Sequence, residues 1–171
     1  MELPAQFARA GFRGTVHRVV RAGVDPLATE GSLAGGGRYN PAGEFGALYA
    51  SEEAQTARKE VARGLLRRGV NPASFPPGSW WDYDLEITLT AVLDLTDAAV
   101  LSELGIAPGA LVAELAAITR QIAAEARSRG YQGLLVPSAA SPGAKNLVVF
   151  AEGIAGNVQV LESRAISSLL E

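Results

Sequence analysis

The sequence predicts an α+β domain with a mixed, largely antiparallel sheet flanked by helices, and three observations carry that expectation. Residues from Asp84 to Leu95 alternate as a half-buried strand does, with Leu85, Ile87, Leu89, Ala91, Leu93 and Leu95 on one face and Glu86, Thr88, Thr90 and Asp94 mostly on the other. Two stretches, Glu52 to about Arg68 and about Pro108 to Ser128, carry apolar residues at helical spacing. The strands and helices do not alternate as a regular βαβ repeat, which argues against an all-parallel sheet. A chain of 171 residues, 48% of them hydrophobic, suffices for one domain over residues 1–171 with a single well-buried core.

Thr15 to Val20 is the first strand: β-branched residues favour extended backbone, and the two-residue period puts Val16 and Arg18 on one face and His17 and Val19 on the other. Arg21 to Gly37 contains Gly23, Pro26, Gly31 and the triplet Gly35 to Gly37, a loop composition, and long loops in compact domains are often functional. Ala47 to Ala50 reads as a short strand. Ser51 then stands as N-cap of the helix from Glu52, with Glu52 and Glu53 in a first turn whose dipole favours negative charge. Ala54, Ala57, Val61 and Leu65 form its apolar stripe, Glu60 borders that stripe, and Arg67, Arg68 and Gly69 suit its end.

Asn71 to Ser79, with three prolines, reads as a loop. After the Asp84 strand, Asp97 caps a short helix through Leu104 that Gly105 stops. The longer helix from Pro108 buries Leu111, Leu115, Ile118 and Ile122 and ends at Gly130. Gly133 to Val136, Asn146 to Ala151 and Val158 to Leu161 read as three more strands, and the tail from Ser163 as a short helix.

Composition narrows the function classes. A formal net charge of −3 supplies no global attraction for a polyanion, so direct nucleic-acid binding is not expected. With no cysteine, disulfides, thiolate zinc sites and a thiol nucleophile are excluded. His17 is the single histidine and no G-x-S-x-G elbow is present, which argues against a serine-hydrolase triad and against a histidine metal site. The N-terminal stretch MELPAQFARAGFRG lacks the continuous apolar region of a signal peptide, and no run of about 18 apolar residues occurs. A cytoplasmic protein with no membrane association is the expectation.

Chemistry concentrates between Gly35 and Glu60, GGGRYNPAGEFGALYASEEAQTARKE. The glycines let backbone N–H groups approach an anion that Arg38 can hold with its fork, although the same glycines also suit a flexible turn, and neither nucleotide-binding fingerprint fits. Tyr39 and Tyr49 can stack on a flat heterocycle or pack in the sheet. Glu60 suits stabilisation of developing positive charge or acid/base work; the alternative is an exposed helix glutamate paired with Arg63. Ser138 follows a strand and can orient a ligand oxygen or bond a turn backbone. Trp80 and Trp81 offer either an interaction surface or packing.

Taken in order, Arg18 in a first strand, GGRYNPAG, LYAS, the helix containing Glu60 and GLLVPSAASPGAKNLVVF resemble the RES-domain family, named for its arginine, glutamate and serine, over roughly Val16 to Phe150. Members are typically toxins of bacterial toxin–antitoxin pairs. The resemblance therefore implies a fold similar to ADP-ribosyltransferase toxins, an Xre-type helix-turn-helix antitoxin as partner, and a homodimer within a larger complex. The activity it implies is consumption of NAD+ by hydrolysis or phosphorolysis of the nicotinamide–ribose bond, with protein ADP-ribosylation described for some members. It carries the family's arginines onto Arg18 and Arg38, the aromatic after the second arginine onto Tyr39, the strand tyrosine onto Tyr49, the glutamate onto Glu60 and the serine onto Ser138. Tyr39 stands where many members have tryptophan, and Ala140 where a basic residue often follows the serine.

In that scheme Glu60 holds the ribose 2′-hydroxyl and stabilises an oxocarbenium-like state, Arg18 and Arg38 clamp the pyrophosphate, Tyr39 or Tyr49 stacks on nicotinamide, and Ser138 orients a ribose or phosphate oxygen. No metal is required, because the cationic leaving group departs neutral. Two other readings compete: an ADP-ribosyltransferase with a protein acceptor, recognised by a mass shift on its target, and a non-enzymatic nucleotide- or peptide-binding module, recognised by NAD+ binding without turnover.

Overall fold

A computed structural model describes residues 2–4, 7, 9–114 and 117–171. Along the chain these form β1 (Ala10–Arg21), α1 (Glu30–Gly35), β2 (Ala47–Ser51), α2 (Ala54–Arg67), β3 (Trp80–Asp94), α3 (Ala98–Glu103), α4 (Ala117–Ser128), β4 (Gly133–Pro137), β5 (Lys145–Phe150) and β6 (Val158–Ile166). The strands lie in the order β1-β2-β5-β4-β3-β6, and β1 also pairs with β3, so five of them close a circuit with β6 attached outside it. Only β3 and β4 run parallel; the other pairings are antiparallel. The predicted α+β class with a mixed, largely antiparallel sheet is the observed one.

Strand alternation sorts the apolar residues into two layers. Val16, Leu48, Ala50, Leu85, Ile87, Leu89, Leu135, Leu147 and Val149 share one buried cluster drawn from all five strands of the circuit. Their neighbours in sequence, among them Ala47, Leu134, Val136, Val148 and Phe150, turn the other way and pack with Leu101 of α3 and Ile122, Ala123 and Ala126 of α4. A third cluster lies under α2, where Ala57, Ala62 and Leu65 meet Val19, Trp80, Ile166 and Leu169. The circuit leaves no room at Gly133: a Cβ there would lie 2.3 Å from the Val148 carbonyl oxygen. Gly133→Ala is therefore expected to destabilise at the upper end of roughly 1–3 kcal/mol, the range for overpacking, read from the urea midpoint.

Several boundaries depart from the sequence reading, each because of a distant partner. The 12-residue β1 runs past both ends expected for it, and the 15-residue β3 begins at Trp80 rather than Asp84, because they pair with each other from Ala10 to Arg21. β3 does not keep one face throughout. One residue of β1, Gly11 between Ala10 and Phe12, faces two of β3, Thr90 and Ala91 between Leu89 and Val92, a bulge that reverses the side-chain parity, so Leu93 and Leu95 join the helix-side cluster while Leu85, Ile87 and Leu89 stay inside the circuit. The loop from Arg21 to Gly37 contains the six-residue α1, too short to persist on propensity alone; Ser32 Oγ accepts from Ala47 N at 2.9 Å and fixes it to β2.

Ser51 is not a helix cap: it is the last residue of β2, and α2 begins three residues later, with Glu53 as an N-cap that makes no side-chain capping bond. The helix expected from Pro108 to Ser128 is divided into a 3-10 turn, Pro108–Leu111, and α4, because Arg38 takes the carbonyls of Leu111 and Ala113 that a continuous helix would use internally. Leu115, assigned to that helix's buried stripe, lies outside the described residues. The tail from Ser163 continues as strand rather than helix, with Ala165 opposite Trp81 and Arg164 opposite Asp82. Asp97 does cap α3, accepting from Ala99 N, and Gly105 ends it at φ +66°. Trp80 packs edge-on against Phe75, with the Arg21 guanidinium over its ring.

Candidate active site

Glu60 sits on α2, a helix held down by its apolar stripe, at the flank of that stripe facing the ends of β4 and β5. Ser51 and Asn146 are register partners on β2 and β5, and alternation points both out of the circuit. Asn146 Nδ2 donates to Glu60 Oε1 at 2.7 Å and Asn146 Oδ1 accepts from Ser51 Oγ at 2.7 Å. Ser138, one residue past β4, donates to the same Glu60 oxygen at 2.6 Å, and Ala140 N approaches it at 3.4 Å. The bonds from Asn146, Ser138 and Ala140 all fall on Oε1. Among the described residues Oε2 has no partner, and Glu60 borders a cavity.

That cavity, of about 560 Å³, opens where β1 and β2 part company after their single paired position, His17 opposite Ser51. Arg18, Arg38, Tyr49, Glu60, Arg63 and Arg67 all line it. Its size falls in the range of small-molecule sites, roughly 300–1,000 Å³. Arg18 donates to the carbonyls of Ala28 at 3.0 Å and Tyr49 at 3.3 Å, while its Nε is buried without a partner. Burial pulls its pKa down to about 10, against an opposing effect of Asp25, which leaves it cationic at neutral pH. Arg38 spends Nη1 on the Leu111 and Ala113 carbonyls and keeps a buried, unpartnered Nη2. Its pKa is lowered, first by burial.

The two tyrosines separate. Tyr49 lines the cavity, and its hydroxyl donates to Asn40 Oδ1 at 2.7 Å and accepts from Tyr39 N at 3.0 Å, which clamps the glycine-rich loop onto β2. The loop comes so close that a Cβ at Gly37 would lie 2.5 Å from that hydroxyl, so the glycine there serves a close approach. Burial raises the Tyr49 phenol to about 12. Tyr39, expected as a stacking residue, is 2% exposed, does not line the cavity and packs in the helix-side core, where burial drives its phenol up. Ser138, expected to touch the ligand itself, is 4% exposed and reaches the cavity only through Glu60.

Other contributors carry no site role in the sequence reading. Asn146 and Ser51 gain theirs through a strand pairing 95 residues apart. Arg63 does not pair with Glu60; it bonds Glu114 at 3.0 Å. His17 also lines the cavity, its Nδ1 2.8 Å from Asp84 Oδ1. β3 brings two carboxylates to the solitary histidine: ligand atoms of His17, Asp82 and Asp84 lie within 4.8 Å of one another. Guanidinium groups already stand beside those carboxylates, Arg164 at 2.7 Å from Asp84 and both Arg58 and Arg164 at 3.6 Å from Asp82. The bond from Arg164 holds the Asp84 carboxyl below the usual carboxylate range.

A family model described as RES domain matches residues 15–167. Among curated proteins, the chain is 37% identical over 120 residues to the Probable NAD(+) phosphorylase Rv3189 of Mycobacterium tuberculosis (strain ATCC 25618 / H37Rv), an alignment covering 70% of this chain and 56% of that protein. It is 28% identical over 141 residues to the NAD(+) phosphorylase MbcT of Mycobacterium bovis, covering 79% and 76%. The chain thus spans a little over half the length of the first relative and three quarters of the second. Among solved structures, the M. tuberculosis MbcT–MbcA toxin–antitoxin complex contains a chain similar at a TM-score of 0.82 and 26% identity, covering 93% of this chain and 87% of that one. No described helix is long and apolar enough to cross a membrane.

Proposed function

Because the chain belongs to the RES domain family, we propose that it cleaves the nicotinamide–ribose bond of NAD+ by phosphorolysis, as the names of its relatives describe for those proteins. One observation supports this reading most: Glu60 presents an unpartnered carboxylate oxygen to an arginine-lined cavity while three donors fix the other. Breaking the bond gives the ribose an oxocarbenium character, and a fixed carboxylate that accepts from the ribose 2′-hydroxyl is strongest when that charge develops. Arg18 and Arg38 supply fixed positive charge for the pyrophosphate, Tyr49 offers its face to the nicotinamide ring, and Ser138 positions Glu60. Nicotinamide leaves neutral, so neither a metal ion nor an acid is needed to expel it.

In this reading the whole chain acts as one domain, a cytoplasmic toxin held by an Xre-type helix-turn-helix antitoxin, with the toxin a homodimer inside a larger complex. The MbcT–MbcA assembly is the support for an antitoxin partner. Purified protein incubated with NAD+, with and without phosphate, is the test: phosphate-dependent release of nicotinamide is the expected result. An intact NAD+ pool in both buffers would overturn it, and labelling of a protein target under those conditions would favour a transferase instead.

A further inference from the structure

Arg63 and Arg67 follow Glu60 on successive turns of α2, a spacing that aligns the three side chains along one flank of the helix, and all three border the cavity. Arg38 comes from the facing loop. Its pKa is lowered by burial first and, further down, by the positive charges of Arg63 and Arg67, so the three guanidinium groups feel one another.

A single carboxylate answers the α2 pair among the described residues. Glu114 places Oε1 3.0 Å from Arg63 Nη2 and Oε2 3.6 Å from Arg67 Nη2, spanning the two guanidinium groups as two oxygens of an inorganic oxyanion would. It is carried there by the chain segment whose Leu111 and Ala113 carbonyls Arg38 holds. Yet the Glu114 side chain is 74% exposed, against 25% for Arg63. An ion pair in which one partner is so open to water is weak and readily exchanged.

We infer that Arg63 and Arg67 bind the acceptor, inorganic phosphate, and that the Glu114 carboxylate occupies this position until phosphate displaces it. The inference rests on the proposed NAD+ cleavage and names the second substrate's place in the same cavity. Arg63 lies one turn from Glu60, next to where the ribose must be held, whereas Arg18 and Arg38 are the groups for the pyrophosphate. A hydrogen phosphate dianion held there attacks the ribose anomeric carbon with one oxygen. The new carbon–oxygen bond forms as the carbon–nitrogen bond breaks, the electron pair passes to the pyridinium nitrogen, and the products are neutral nicotinamide and ADP-ribose 1″-phosphate. The remaining phosphate proton is lost to water, so no side chain has to accept one.

Nicotinamide release by the full chain, with phosphate varied at saturating NAD+ and then NAD+ varied at saturating phosphate, tests this. Arg63→Ala should raise the phosphate KM on the order of tenfold or more, as expected for loss of a charge-assisted bond, and leave the NAD+ KM unchanged. Arg63→Lys should recover part of the loss. Glu114→Gln should act in the opposite sense and lower the phosphate KM about two- to fivefold, and it decides the matter should Arg63→Ala not fold. An unchanged phosphate KM in these variants, or an Arg63→Ala effect confined to the NAD+ KM, overturns the assignment while leaving NAD+ cleavage standing. Phosphate-independent turnover by the wild type overturns the assignment and phosphate as the acceptor while bond cleavage stands; no release by the wild type overturns NAD+ cleavage as well.

Discussion

Glu60→Gln yields a folded protein whose nicotinamide release falls on the order of 10²- to 10³-fold, the loss that follows removal of one preorganised charge-stabilising group. Glutamine keeps the shape and can still present an oxygen to Ser138 Oγ and Asn146 Nδ2, the two donors at 2.6 and 2.7 Å. What it presents to the cavity is then an amide N–H₂. That group cannot accept from a ribose hydroxyl and carries no negative charge for the developing oxocarbenium ion. The loss belongs in kcat, because the ground-state sugar gains little from the carboxylate. Unfolding by urea should show a near-native midpoint, and a variant that keeps full turnover would remove Glu60 from the chemistry.

Ser138→Ala separates positioning from direct contact. Its hydroxyl donates to Glu60 Oε1 and accepts from the N–H groups of Ala140 and Ser141 at 3.1 and 3.0 Å. Loss of the first bond lets Glu60 turn away from its fixed orientation, and a misplacement of about 1 Å can cost on the order of 10²-fold in rate. Loss of the other two strips the turn after β4 of its acceptor and lowers stability by about 1–3 kcal/mol. The decisive readout is the double variant. Since Ser138 reaches the cavity only through Glu60, adding Ser138→Ala to Glu60→Gln should leave kcat where Glu60→Gln put it. Multiplying effects would instead mean that the serine touches the substrate.

Much of the fold was legible because local rules and the tertiary structure agree. Alternation marked β3, Asp97 and Gly105 bounded α3, and the stripe of Ala57 and Leu65 on α2 does face the core. Elements misread from sequence answer to partners far along the chain: the bulge where β3 meets β1, the tail recruited as β6, and the helix after Pro108 divided by Arg38. The site divides the same way. Arg18, Arg38, Tyr49 and Glu60 were picked out by residue type and order, and they meet at one cavity. Tyr39 packs in the helix-side core, and nothing in an Arg-Tyr dipeptide tells which of two adjacent side chains enters it.

The sequence by itself determined the α+β class, the family and the chemical inventory: no thiol, one histidine, and a carboxylate and arginines in a fixed order. The class and the inventory follow from composition and local periodicity, and the family from the order of its motifs along the chain, none of which needs knowledge of distant contacts. Only the tertiary structure decided which oxygen of Glu60 is anchored and which is open, because Ser138 and Asn146 lie 78 and 86 residues away. It likewise placed Glu114 on the arginines of α2. Hydrogen bonds and ion pairs act over a few ångströms of space, and that proximity is set by strand pairing and closure of the sheet.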